Sequence, residues 1–167
     1  MLNSANKIFA LNDNNLKSKL DQLNKPLVFT NGCFDILHRG HISYLESARN
    51  LGGSLIIGVN SDDSVKRQNK GSDRPINPQT DRQALLTALA CVDAVIIFDD
   101  DTPLKLIKTI EPDILVKGGD WKISNIVGAE YVTATGGSVH SIEFEHDRST
   151  TKLLEKIRAY NPKESST

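Results

Sequence analysis

The sequence predicts an α/β domain, a parallel sheet of five strands with helices on both faces. Three observations carry this. Short apolar runs alternate about five times with segments of helical periodicity, no hairpin turn joins one run to the next, and the chemically versatile polar residues follow the carboxyl ends of the runs. Parallel strands of this kind are joined by right-handed crossovers, and their carboxyl ends form the edge where ligands bind.

The elements follow in order. Residues 1–25 are polar apart from a few apolar positions, and the spacing of Leu16, Leu20 and Leu23 predicts a short amphipathic helix from about Asn14, an N-terminal helical extension. Leu27, Val28 and Phe29 form the first strand, which breaks at Thr30-Asn31-Gly32. A helix then runs from about Gly40 with Ile42, Leu45 and Ala48 inward, and Gly52-Gly53 stops it. Ser54 to Val59 is apolar without alternation, as expected of a strand buried on both faces. It ends at Asn60-Ser61-Asp62-Asp63. The basic run from Lys66 to Arg74 is either a solvated loop or a cationic loop that folds over a polyphosphate.

Asn77-Pro78 predicts a helix N-cap followed by proline at the first helical position, with Leu85, Leu86 and Leu89 as the apolar stripe. Ala94 to Phe98 is the third strand. Asp99-Asp100-Asp101 reads as a cap for the helix through Leu104, Ile107 and Ile110, because acidic residues are favoured at a helix start. Asp113 to Val116 is the fourth strand and runs into Lys117-Gly118-Gly119-Asp120-Trp121, where the tryptophan is either a plug beneath the turn or a ligand contact. Asn125 to Thr135 is predicted helical, Ser138 to Phe144 is the fifth strand, and Ser149-Thr150-Thr151 opens a last helix with Leu153, Leu154 and Ile157 inward. Residues 161–167 read as a polar, disordered tail.

A chain of 167 residues suits one domain with a sizeable core. Its net charge of −1 provides no broad basic field, which argues against a nucleic-acid partner. No signal peptide is evident and no apolar run approaches the ~20 residues of a membrane span, so no membrane partner and a cytoplasmic location are expected. The two cysteines, Cys33 and Cys91, are too few for a disulfide framework and read as reduced thiols.

The stretch Asn31-Gly32-Cys33-Phe34-Asp35, followed by His38-Arg39-Gly40-His41, lies between a strand and a helix. Both histidines fall at the helix mouth, where unpaired backbone N–H groups and the positive end of the dipole favour an anion. Gly40 lets a phosphate approach the backbone closely. Two cap histidines or part of a zinc site would give the same pattern, but neither cysteine completes a zinc set, and no metal site is expected.

These residues resemble the signature of the cytidylyltransferase-like nucleotidyltransferases, Rossmann-like enzymes whose His-x-Gly-His motif binds nucleoside triphosphate. The likeness runs from about Pro26 to Tyr160 and is strongest to the heptose 1-phosphate adenylyltransferases, which occur alone or fused behind a sugar kinase. It rests further on Gly58-Val59-Asn60-Ser61-Asp62, Arg74-Pro75-Ile76-Asn77-Pro78, Cys91-Val92-Asp93-Ala94-Val95, Asp101-Thr102-Pro103, Val116-Lys117-Gly118-Gly119-Asp120 and Arg148-Ser149-Thr150-Thr151. Trp121 departs from the usual tyrosine or phenylalanine and is similar to the Asp-Trp pair of glycerol-3-phosphate cytidylyltransferases, which use CTP.

The resemblance implies a nucleotidyltransferase domain over residues 26–160, with His38, His41, Lys117 and Arg148 as catalytic residues. It places Asn31, Gly32, Cys33, Phe34, Gly40, Gly118, Asp120, Ser149 and Thr150 on the nucleotide. Asp35, Asn60, Asp62, Lys66 and Trp121 fall to the acceptor. ATP with Mg²⁺ and a sugar 1-phosphate are the implied reactants, a separate sugar kinase the implied supplier, and a homodimer the expected assembly. A non-catalytic nucleotide sensor is the alternative from another class.

Overall fold

The computed structural model describes residues 4–68, 74–143 and 150–160. Their strands are β1 (Ile8–Phe9), β2 (Leu27–Gly32), β3 (Ser54–Asn60), β4 (Ala94–Phe98), β5 (Ile114–Gly118) and β6 (Ser138–Ile142). Among the described residues they make a sheet of six strands, not five, parallel throughout, in the order β1-β4-β3-β2-β5-β6. The added strand is β1, whose Ile8 and Phe9 pair with Val95 and Ile96 at the sheet edge. Two residues are too short to display a period, and only the burial of Phe9 in the core marks them as structural. The N-terminal segment therefore supplies a strand as well as the expected helix, α1 (Leu16–Asp21).

Period-two geometry sends alternate residues of each strand to opposite faces. Phe29, Ile56 and Ile96 join one core cluster, while Val28, Leu55, Ile57 and Val95 join another. Helices α1, α5 (Leu104–Ile110) and α6 (Ala129–Ala134) cover the first through Leu16, Leu106, Ile107, Ile110, Ala129 and Val132. The second is covered by α2 (Arg39–Arg49) through Tyr44, Leu45 and Ala48 and by α4 (Gln79–Thr87) through Leu86. Because both faces are covered, the strands read as unbroken apolar runs. Gly58, in the middle of β3, lets a helix pack close to the sheet: a Cβ there would meet Leu106 at 2.9 Å and Phe29 at 3.0 Å.

Several helix boundaries differ from expectation for local reasons. Ser61 accepts from the Ser64 N–H at 3.0 Å and starts a short helix, α3 (Asp62–Arg67), where only a strand end and a basic loop were expected. Pro78, not Asn77, is the N-cap of α4, and the buried side of α4 includes Arg82 and Gln83 while Leu85 is exposed. The acidic run does not cap α5, which begins after Pro103 without a side-chain cap. Its carboxylates anchor α3 instead: Asp101 accepts from Arg67 Nε at 2.6 Å, and Asp99 from the Ser61 hydroxyl. The helix expected over 125–135 is divided into a 3-10 turn, Ile123–Asn125, and the shorter α6. The last helix, α7, spans Thr150–Ala159; Phe144, Ser149, most of the basic loop and the tail lie outside the described residues. Among the described residues, no helix is long and apolar enough to cross a membrane.

The topology also decides where a ligand can sit. The chain leaves β2 for β3 on one side and later places β5 on the other, so the connections diverge at the carboxyl ends of β2 and β5 and open a crevice there.

Candidate active site

A cavity of about 530 Å³ occupies that crevice, lined from β2 and its following turn by Asn31, Gly32, Cys33, Phe34 and Asp35, and from α2 by His38, His41 and Tyr44. Lys117 and Gly118 of β5, Thr150 and Thr151 of α7, and Arg74 complete it.

His38 is the N-cap of α2: its backbone is extended and its Nδ1 accepts from the His41 N–H at 3.3 Å. With Nδ1 accepting, the neutral ring carries its hydrogen on Nε2. The His41 ring stacks on it at 3.8 Å between centroids, with 16° between planes, and meets Phe34 edge-on at 5.5 Å. The Nδ1 of His41 is buried without a hydrogen-bond partner among the described residues. Protonating that nitrogen would bury an unsatisfied N–H, so the ring stays neutral. Burial accordingly holds the His41 pKa down to about 4; the neighbouring His38 lowers it further and Asp35 opposes. His38 is also lowered by burial, partly offset by its backbone hydrogen bond. At neutral pH the pair is two uncharged N–H donors, available to phosphate oxygens without being protonated first.

The floor of the site is held by polar bonds between elements. The Tyr44 hydroxyl shares a 2.5 Å bond with Thr30 Oγ1 and lies 3.4 Å from the Val116 carbonyl, tying α2 to β2 and β5; burial pushes its pKa up. Asp35 has its side chain fully buried and accepts from Arg74 Nε and the Ile76 N–H, both at 2.8 Å, and from the Asn77 N–H at 2.9 Å. Its carbonyl accepts from Thr150 Oγ1 at 2.6 Å. Fully buried Arg82 donates to the carbonyls of Cys33 (2.6 Å), Asn60 (2.8 Å) and Asn77 (3.0 Å) and to the Asp62 carboxylate (2.8 Å).

Of the residues expected at the site, His38, His41, Lys117, Asn31, Gly32, Cys33, Phe34, Gly118, Thr150 and Asp35 meet at this cavity. Gly40 is buried in the first turn of α2, beside it in sequence. Asn60 lies below, donating to Ser64 Oγ at 3.0 Å, and Asp62 is bound by Arg82. Lys66 is exposed and paired with Asp63, and Asp120 is exposed. Trp121 is 47% exposed, its indole donating to the Gly118 carbonyl at 3.0 Å, and does not line the cavity. Arg148 and Ser149 lie outside the described residues. Sequence reasoning gave no site role to Tyr44 or Arg82, took Thr151 only as part of a helix start and a resembling block, and took Arg74 only as part of the basic run and of a resembling block. The one available signal was Arg82, a charged residue on the inward side of α4.

Residues 29–157 match the cytidylyltransferase-like family model. The chain belongs to that family. The D-beta-D-heptose 1-phosphate adenylyltransferase of Bordetella bronchiseptica is 54% identical over 137 residues, which cover 82% of this chain and 85% of that protein. The bifunctional protein HldE of Citrifermentans bemidjiense is 55% identical over 133 residues, 80% of this chain but 27% of that longer protein. A lipopolysaccharide core biosynthesis protein from Thermoplasma volcanium superposes with a TM-score of 0.58 at 31% identity, covering 73% of this chain and 98% of that one. Within this cytidylyltransferase-like fold, the histidine pair and the end of β5, Lys117 and Gly118, line one cavity where the connections diverge.

Proposed function

We propose that this nucleotidyltransferase transfers AMP from ATP to a heptose 1-phosphate, releasing pyrophosphate and giving an ADP-heptose for surface-glycan synthesis. The observation that carries this reading is the convergence of His38, His41, Lys117 and Thr150 on one cavity in a chain 54% identical, nearly end to end, to a named heptose 1-phosphate adenylyltransferase.

The reaction is an attack by a sugar-phosphate oxygen on the α-phosphorus, with pyrophosphate leaving. A phosphate monoester has its second pKa near 6 and is mainly a dianion at neutral pH, so no general base is required. What the protein must supply is positioning of two anions and stabilisation of charge on the α-phosphate and the leaving group. The neutral N–H donors of His38 and His41, the N terminus of α2 and the Lys117 ammonium are donors of that kind. By the same family resemblance, Arg148 and Ser149 supply further phosphate contacts. Mg²⁺ bound along with the nucleotide would neutralise part of the charge on its phosphates. Asp35, the carboxylate at the cavity, is already held by a guanidinium and two backbone N–H groups. The acceptor requires a kinase that phosphorylates a heptose at C1, as the bifunctional relatives suggest, and we read the cytoplasm, where ATP is held, as the place of the reaction.

The test is pyrophosphate release from ATP or CTP with heptose 1-phosphate, other sugar 1-phosphates or glycerol 3-phosphate, with the product identified by mass. ADP-heptose formation is expected. Nucleotide binding without pyrophosphate release would make the chain a sensor, and a preference for CTP with glycerol 3-phosphate would make it a cytidylyltransferase.

A further inference from the structure

We infer that Arg74 is a phosphate-gripping residue of this site and that Asp35 is the positioning residue that aims it, without itself touching substrate. The inference rests on the phosphate-binding reading of the cavity and adds two roles to it.

The Asp35 side chain has no exposed surface, and its oxygens already accept from Arg74 Nε, Ile76 N–H and Asn77 N–H. A carboxylate has about four lone-pair sites. With three taken and no surface open to the cavity, Asp35 is poorly placed to bind a sugar hydroxyl or a cation. Its backbone is equally committed: the carbonyl holds Thr150 Oγ1, and the flanking Phe34 and Ile36 are both left-handed, at φ 48° and 53°. That conformation is unfavourable for side chains with a Cβ, above all for β-branched Ile36. The turn is held in it by contacts with two other segments, the 74–77 stretch and the start of α7.

Arg74 is what this arrangement presents. It is 9% exposed, and the exposed part lines the same cavity as His38, His41 and Lys117. A guanidinium carries five N–H groups; Asp35 engages the one on Nε, and among the described residues the terminal nitrogens make no hydrogen bond. The ion pair thus fixes, through Nε and an inward carboxylate, a guanidinium in the lining of the cavity, and its planar fork is of the kind that suits phosphate oxygens. Arg82, by contrast, is fully buried, donates to four protein oxygens and does not line the cavity.

The experiment uses the full chain with two readouts, calorimetric binding of inorganic pyrophosphate and steady-state pyrophosphate release, each beside a thermal melt. Arg74→Gln should weaken pyrophosphate binding about 10- to 100-fold, as loss of a charged hydrogen-bonding partner does, with Arg74→Lys intermediate. Asp35→Asn should show a comparable defect. The double variant Asp35→Asn/Arg74→Gln, which keeps a neutral hydrogen-bonding pair and protects against misfolding from an unpaired buried charge, should bind no worse than either single one. Two outcomes overturn the inference. One is pyrophosphate binding within twofold of wild type in Arg74→Gln and Arg74→Lys, whatever their melts, which would reduce Arg74 to a structural counter-ion. The other is a double-variant loss equal to the product of the single losses, which would give Asp35 its own ligand contact. If wild type binds pyrophosphate but forms no ADP-heptose, the proposed reaction fails while the binding comparison still decides this inference.

Discussion

Two polar clusters border the turn after β2 and are built on opposite rules. Around Arg82, a fully buried guanidinium meets three carbonyls and a carboxylate, joining the turn after β2, the end of β3 and the segment before α4. In the histidine pair, stacked rings face a cavity and a buried ring nitrogen has no partner among the described residues. A satisfied network holds structure, whereas ring N–H groups left beside a cavity remain available to a ligand. The first cluster fixes the positions of the elements that carry the second.

The largest expected effect tests the first half of that contrast. Arg82→Met removes four hydrogen bonds and leaves Asp62 without its ion-pair partner. Removing one partner of a buried pair costs about 3–5 kcal/mol, to be read as a lower denaturation midpoint at an unchanged slope. A shift equivalent to less than about 1 kcal/mol, ordinary for a surface substitution, would mean that the network is not structural.

His41→Ala tests the other half. Turnover should fall about 10²-fold or more, as when a preorganised donor is lost, while stability at pH 7 changes little. Near wild-type kcat would remove His41 from the chemistry. Its pH signature has a definite sign. A histidine lowered from 6.5 to about 4 on folding leaves the unfolded chain binding more protons between those values. The proton-linked cost of keeping the ring neutral is therefore absent above about pH 6.5 and grows as the pH falls toward 4. Wild type should lose stability across that window more steeply than His41→Ala, measured by denaturant melts at fixed ionic strength. Parallel curves would show that the ring is not buried as described.

Trp121→Phe should have the smallest effect. The half-exposed indole makes one hydrogen bond to the Gly118 carbonyl and lies off the cavity lining. The expected cost is about 1 kcal/mol in stability, with KM values for both substrates within about twofold, well under the tenfold that 1.4 kcal/mol represents. A large rise in the acceptor KM would move Trp121 into the site and extend the donor cluster past β5.

The sequence by itself determined the alternation of strands and helices and the position of the histidine motif at a helix mouth, because periodicity, glycine stops and caps act over a few residues. It also located Lys117 at the end of β5, since strand carboxyl ends converge in any parallel sheet. Other features depend on contacts between segments distant in the chain. The strand at Ile8–Phe9 exists because β4 is there to pair with it. Asp35 is withdrawn into the protein by Arg74 and by Thr150, 115 positions along the chain. The acidic run after β4 binds α3 instead of capping its own helix. In each case a charge or a backbone edge has several local ways to be satisfied, and the partner that the fold brings within hydrogen-bonding distance selects among them.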